Sequence, residues 1–249
     1  MLEHLGKELA FRFTVGGVEI AFHPVVIAVA LAVVIALVLV SLWLRRGLPH
    51  TPDAPLSRRA AFLAGTIDLF ENQLLGGVSP RLVRQLLPFV ITLFFYVLFC
   101  NWAGILPIPY IVAPTQDLNV SLGLALLVYL LTHYYGIRAK GVGRHLKGYL
   151  EPFPFLLPLN IVGDLGRTLS HGFRLFGNIL GGAILMVVAP TATMSISTAL
   201  VPVVGPALGW TGRVPLSLIL NGWFGLAFGV IQAFVFTLLA VAYIQVTAD

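Results

Sequence analysis

Five residues in one apolar run carry chemistry that such a run rarely holds. Asp164, Arg167, His171, Arg174 and Asn178 follow one another at spacings of 3, 4, 3 and 4. At about 100° per residue, these spacings place all five within an arc of roughly 80°, so one helix face is polar. Gly181 and Gly182 continue that face. An arginine at mid-membrane costs from about 2.5 to over 10 kcal/mol, and the cost persists where the group is paired, wetted or functional. Asp164 stands three residues before Arg167, within ion-pair reach on a helix. Arg167 also lies near the inner end of the run, where snorkelling to an interface is a second reading. His171 neighbours both arginines. Arg174 has no acidic residue within four positions, and Asp164 is about 15 Å away along the axis. Its expected partner lies in another chain or in a water-filled cavity.

The last apolar run carries a milder pattern. Asn221, Gln232 and Tyr243 recur every 11 residues, a period that drifts by only about 20° per step on a helix. Gly225 and Gly229 fall close to that face, where small residues let helix backbones approach. Two readings stand open: helix packing with polar glue, or the second wall of a polar path.

The elements that position these residues follow from composition. Of 249 residues, 58% are hydrophobic and 10% charged, and the mean hydropathy is +0.95. A soluble domain is about 25% charged, so a soluble enzyme, a nucleic-acid binder and a disordered chain are all excluded. The formal charge of +5 needs no polyanionic partner, because membrane proteins gather Lys and Arg on cytoplasmic loops. Cys100 stands alone. It allows neither an intrachain disulfide nor a cysteine metal cluster, and reads as a small buried hydrophobe. No phosphate-binding glycine loop, Ser-His-Asp set or metal-spaced histidines occur, so neither a catalytic centre nor a cofactor is expected.

Runs of about 20 apolar residues predict membrane helices at 24–44, 86–106 and 119–135. Asn119 or Asp117 is the expected cap of the third, and Pro107 and Pro109 the expected stop of the second. The first lacks the leader and cleavage pattern of a signal peptide and reads as a retained helix. Two longer runs, 153–189 and 215–246, exceed a hydrocarbon core of about 30 Å and must tilt, kink or leave it. Between them, residues 190–212 hold Pro202, Pro206 and three glycines and read as a loop with a short helix. Residues 60–75 read as a surface helix, and 11–22 as an external hairpin around Gly16-Gly17 within an N-terminal segment, 1–22. The whole chain reads as a single all-α polytopic membrane domain with about five spans. Arg45, Arg46, Arg58, Arg59, Arg81 and Arg84 precede the second span, and Arg138, Lys140, Arg144 and Lys147 follow the third. Those loops are therefore expected in the cytoplasm, with the N-terminus outside and the C-terminus inside.

At this point the residues resemble a known family. Leu169-Ser170-His171-Gly172-Phe173-Arg174-Leu175-Phe176-Gly177-Asn178 is similar to the signature of the a subunit of F-type ATP synthase. Pro114 to Asn119 resembles that family's loop before its third span, Asn101 to Pro107 the end of its second, and Ile231 to Phe234 with Tyr243 its last helix. The landmarks come in family order across roughly residues 80–246. The resemblance implies a stator subunit in a bacterial inner membrane, beside a ring of c subunits and held by the b subunits of a peripheral stalk, with the rest of the synthase carrying catalysis. Two half-channels would lead H+ or Na+ to and from a carboxylate on each ring subunit. The family's essential arginine maps onto Arg174, whose fixed charge would favour the ionised carboxylate and block a direct leak. Asn178, Gln232, Asp164, Arg167 and Ser170 match further family positions.

The departures are equally specific. Ala183 stands where many members have a glutamate, Gly225 where some have His or Glu, and Gly163 at the first of an acidic pair. Three alternatives stand for the missing relay, namely His171, water held by Asn221 and Gln232, or nothing, and the coupling ion stays open between H+ and Na+. A self-contained transporter would need paired half-repeats and a complete site in one chain. A purely structural anchor gives no reason for the charged stripe.

Overall fold

The computed structural model describes residues 11–15, 18–48, 57–105, 112–200 and 205–248, with the backbone alone for 11–22 and 205–208. Two short strands, β1 (Phe11–Val15) and β2 (Val18–Phe22), pair antiparallel from Phe11↔Phe22 to Val15↔Val18, the hairpin expected there. Every regular element described after them is a helix. Five stretches among the described residues are long and apolar enough to cross a membrane: Pro24–Arg45, Pro80–Ala103, Leu118–Lys140, Pro154–Leu200 and Gly209–Ala248.

Helix α1 (Pro24–Arg45) is apolar all round, and only Val26 and Val33 are buried in it. Lipid makes that tolerable, because it offers no hydrophobic penalty for an uncovered leucine. Helix α2 (Arg58–Leu74) is the expected surface helix in sequence position. The Ser57 hydroxyl caps it by accepting from Ala60 N at 3.2 Å. It buries Phe70 and Leu74 and leaves Phe62 and Leu69 exposed, while Arg59 lies 4.1 Å over the Trp43 ring of α1.

Helix α3 (Pro80–Ala103) is the buried centre of the bundle. It begins six residues earlier than the apolar run at 86 and contains Arg81 and Arg84. Flanking polar residues belong to a span whose ends leave the hydrocarbon, which hydropathy alone underestimates. The expected stop at Pro107 and Pro109 lies outside the described residues. Helix α4 (Leu118–Lys140) is capped by Asp117, whose carboxylate accepts from Asn119 N at 2.8 Å. It continues past Tyr135 to a glycine with φ +82°, Gly141, where the chain turns into the short α5 (Val142–Gly148). That left-handed conformation favours glycine.

The largest correction concerns α6 (Leu157–Leu200). The expected helix ended at Ala189, but the observed one runs for 44 residues straight through Pro190, about 66 Å at 1.5 Å per residue. The segment expected as a loop is instead the end of α6 followed by α7 (Gly205–Leu220), folded back against it. Proline lacks a backbone donor, which leaves the Met186 carbonyl four residues back without its helical partner; the threonine hydroxyls around it bond other carbonyls of the same turns. The Thr193 hydroxyl donates to the Pro190 carbonyl at 2.7 Å, and Thr191 to those of Val187 and Val188 at 2.9 Å each. A wide π segment, Asn221–Ala227, joins α7 to the last helix, α8 (Phe228–Ala248).

The core lies where α3, α4, α6 and α8 meet. Leu93, Val97, Val128, Leu175, Phe236 and Ala240 form its middle, and Leu86, Val90, Val241 and Ile244 continue it toward α2. Cys100 is fully buried, as expected. Polar ties fix the register of α3 against the start of α8. Asn101 Nδ2 donates to Gly229 O at 3.1 Å, and Trp102 Nε1 to Leu226 O at 3.2 Å. Thr115 Oγ1 in turn donates to Asn101 Oδ1 at 2.7 Å. Gly225 and Gly229 are needed here: a Cβ would meet Ile105 Cγ1 at 2.9 Å and Trp102 Cδ1 at 3.3 Å respectively.

Candidate functional site

The polar stripe lies on α6 as its spacing predicts, but the packing boundary runs along it. His171 is buried, and Asp164 and Asn178 are half-buried, on the side facing α4 and α8. Arg167, Ser170 and Arg174 are exposed on the other side. The uncovered strip holds Gly163, Gly166, Ser170, Arg174, Gly177 and Gly181, again at helical spacing. A Cβ at any of these four glycines would meet nothing within 4 Å. Gly172, by contrast, is pressed onto α4, with Leu122 Cδ2 2.9 Å from where its Cβ would be. Gly182 sits 3.4 Å from Phe224 in the same sense. Among the described residues, no carboxylate lies within ion-pair distance of Arg174.

On the packed side, α6 and α8 share a polar seam. Asn178 Nδ2 donates to Gln232 Oε1 at 2.8 Å. Gln232 Nε2, both ring nitrogens of His171 and Thr237 Oγ1 are buried and find no hydrogen-bond partner among the described residues. His171 stands edge-on to Phe236 at 3.9 Å between centroids and faces Tyr243 at 5.5 Å. The Arg167 guanidinium lies 5.7 Å from the Tyr243 ring. Buried polar groups without partners are uncommon and mark a place where the protein keeps polarity at a cost.

Asn221 does not join this seam. Its side chain is exposed and donates to Ser217 O of its own helix at 2.9 Å. The 11-residue argument assumed an unbroken α-helix from Asn221 to Tyr243. The π segment of wider turns lies between Asn221 and Gln232 and rotates the earlier residue off the shared face.

Asp164 has more partners than its sequence neighbours suggested. Arg167 Nη1 is 3.9 Å away, a loose pairing. The Tyr149 hydroxyl donates to Asp164 Oδ2 at 2.7 Å, and His133 Nε2 of α4 lies 3.3 Å from the same oxygen. His145 of α5 packs edge-on to His133 at 5.3 Å. Burial, then the charges of His133 and Lys140, hold the His145 imidazole below its ordinary range. Burial and the neighbouring carboxylate push the Tyr149 hydroxyl up, so it keeps its proton. Sequence reasoning missed His133, His145 and Tyr149. One signal was present: His133 is an ionisable residue inside an apolar span, the same criterion that singled out α6.

Two cavities flank the stripe. A small one of about 10 Å³, room for about one water, lies between Asp164 and Arg167 on one side and His171 and Tyr243 on the other. A larger one of about 530 Å³ lies toward the start of α1 and α4, lined by His23, Gln116, Asp117, Ala183 and neighbouring apolar side chains.

A bundle of long apolar helices that keeps a polar seam between two of them, and an arginine at its edge with no carboxylate near it among the described residues, defines a polytopic membrane protein. The chain belongs to the ATP synthase A chain family, whose model matches residues 25–245. It is 34% identical over 194 residues to the ATP synthase subunit a of Bacillus subtilis (strain 168), covering 74% of this chain and 77% of that one. To the ATP synthase subunit a 2 of Picosynechococcus sp. (strain ATCC 27264 / PCC 7002 / PR-6) it is 36% identical over 213 residues, 85% of this chain and 80% of the relative. Against the ATP synthase subunit a of Acidothermus cellulolyticus the identity is 34% over 175 residues, and the match spans only 58% of that relative's length.

Proposed function

We infer that this chain is the a subunit of the membrane Fo sector of a rotary ATP synthase, a non-catalytic stator that couples ion flow to rotation of a c-subunit ring. The observation that carries this reading is Arg174. It stands exposed on a glycine-lined strip of α6, without an ion-pair partner among the described residues. A permanent guanidinium on such a strip suits a carboxylate that arrives on another chain. Its field in low dielectric favours the ionised form, so a ring carboxylate reaching it gives up its ion. Arginine cannot be deprotonated at working pH, so the same charge opposes a cation passing directly across.

The two cavities suit the two half-channels. The Lys- and Arg-rich loops support a reading with the α4–α5 end in the cytoplasm and the start of α1 and α4 outside. The larger cavity then serves as outer access, with His23 and Asp117 as titratable linings where Ala183 carries none. The seam of Asn178, Gln232, His171 and Tyr243 lies between it and Asp164. Titratable side chains at both ends of the path favour H+ as the coupling ion over Na+. The peripheral stalk's b subunits and the catalytic head complete the assembly in this reading, in a bacterial inner membrane.

The test uses the whole synthase reconstituted in vesicles. Arg174→Ala is expected to abolish ion-driven ATP synthesis while leaving subunit content intact. Wild-type synthesis is expected to run on a proton gradient with Na+ omitted. Coupled synthesis by the variant would contradict the role of Arg174, and a strict Na+ requirement would reassign the ion.

A further inference from the structure

A cavity of about 260 Å³ opens where the start of α3, the end of α4 and the end of α8 meet. Ser79, Arg81 and Gln85 line it from the α3 side, Tyr135 and Arg138 from α4, and no acidic residue is among its linings. Arg138 Nη1 donates to the Tyr134 hydroxyl at 3.0 Å, and its guanidinium has further N–H groups to give. The side chains of Ser79, Arg81 and Gln85 make no hydrogen bond or ion pair among the described residues, and Ser79 does not cap its own helix. Snorkelling accounts for one arginine at a helix end. It gives no reason for two, from different helices, to meet at one cavity beside spare hydroxyl and amide donors.

The floor of this cavity is held from both sides. Gln245 Nε2 of α8 donates to Gly77 O, just before α3, at 2.7 Å. Across from it, Gly136 of α4 lets Thr247 come close, since a Cβ at Gly136 would meet Thr247 Cγ2 at 2.6 Å. The end of α8, whose Ala248 lines the cavity, is thereby fixed between the two helices that carry the arginines. Leu127, Leu130 and Tyr134 precede Arg138 on α4 and share its face by helical spacing. All three are exposed. An apolar lane therefore runs from the cationic cavity back along the membrane-spanning part of α4.

An occupant that suits both features carries negative charge at one end and apolar chains at the other. The guanidinium fork matches phosphate oxygens, and basic pockets between membrane helices hold anionic lipid headgroups. We propose that this cavity binds the phosphate of an anionic phospholipid. Arg81 and Arg138 hold the charge, Ser79 and Gln85 add donors, and the acyl chains lie along Leu127, Leu130 and Tyr134. The site is separate from the α6–α8 seam and does not depend on the reading of the ion path.

The test uses the purified complex that contains this chain, in phosphatidylcholine vesicles with a trace of phospholipid bearing a photoreactive group in its acyl chain. The probe is either anionic phosphatidylglycerol or zwitterionic phosphatidylcholine, and peptide mapping counts the adducts on residues 126–138. Phosphatidylglycerol is expected to label this segment about fivefold or more above phosphatidylcholine, the preference that one basic contact already supplies. Residues 31–42 of α1, apolar and without charge, are expected to take both probes equally. Arg81→Gln combined with Arg138→Gln is expected to bring phosphatidylglycerol down to the phosphatidylcholine level. Arg144→Gln combined with Lys147→Gln removes the same charge from α5, outside the cavity, and is expected to keep the preference. Inorganic phosphate in excess over the probe is expected to leave the labelling unchanged. Equal labelling of 126–138 by the two probes overturns the proposal, and so does a preference that survives in the Arg81 and Arg138 variant. No labelling by either probe means that another subunit covers the lane, which overturns it as well. Loss of the preference in the α5 variant reduces the effect to the general field of basic residues and overturns the site. Displacement by inorganic phosphate overturns the lipid as its ligand.

Discussion

At the scale of single residues, the stripe on α6 does two things at once. Asp164, His171 and Asn178 turn inward, and Arg174 turns out. The 3-4-3-4 spacing was enough to find the stripe and to isolate Arg174. It was not enough to place the packing boundary, because which flank of an arc is covered depends on the neighbouring helices. The partners of Asp164 were hidden for a similar reason. His133 is 31 residues away in sequence, and it reaches Asp164 only because α5 and the turn after it fold back. His145 gives this level its own prediction. Its folded-state imidazole is held below its ordinary range, so above about pH 6.5 both closed and opened states are neutral. As pH falls below that value the opened state binds a proton first, and the closed α4–α5 corner loses stability. The loss levels off once pH passes below the folded value. Amide exchange across 142–148 is expected to speed up as pH falls through this window, beyond the intrinsic change, and His145→Leu to remove that extra dependence. An unchanged dependence in the variant would contradict it.

At the scale of elements, hydropathy located the spans, and their ends came out differently. Helices α3 and α4 extend beyond their apolar runs into arginine and lysine, because a helix does not stop where the hydrocarbon does. The reading of 190–212 as a loop rested on Pro202, Pro206 and the glycines, residues that break helices in water. Here α6 continues, and α7 returns along it. One glycine makes that return tight: a Cβ at Gly209 would meet Ser197 Oγ at 2.6 Å, Met194 Sδ at 2.7 Å and Met194 Cα at 3.2 Å. The last of these is backbone, which cannot swing away. Gly209→Leu is therefore expected to separate α7 from α6 and to lower the thermal midpoint of the assembled complex, by an amount like the overpacking cost of about 1–3 kcal/mol. The same substitution at Gly212, where a Cβ meets nothing within 4 Å, is expected to be silent. Equal midpoints for the two variants would contradict this packing. The π segment taught a second lesson. An 11-residue period survives only along one kind of helix, so Asn221 left the face that Gln232 and Tyr243 kept.

At the scale of the whole molecule, the charge distribution and the packing agree. Ten Lys and Arg fall in or beside the two connections α1–α3 and α4–α6, and the contacts of Asp164 with Tyr149 and His133 lie at that end. The larger cavity lies toward the other end, with the α6–α8 seam between. The class of protein was legible from composition alone, and the family from residues in and around the stripe. The cavities and the partners of Asp164 were not, since they are spaces and contacts made by several elements together. The central claim is that Arg174 waits for a carboxylate from another chain, across the bare strip of α6. Disulfide trapping against a cysteine placed beside the ring carboxylate tests this most directly, in a Cys100→Ser background within the assembled synthase. Gly177→Cys and Ser170→Cys on the open strip are expected to cross-link to the ring, and Leu175→Cys, fully buried against α8, is not. Cross-linking from Leu175→Cys alone, or none from the open strip, would contradict the account.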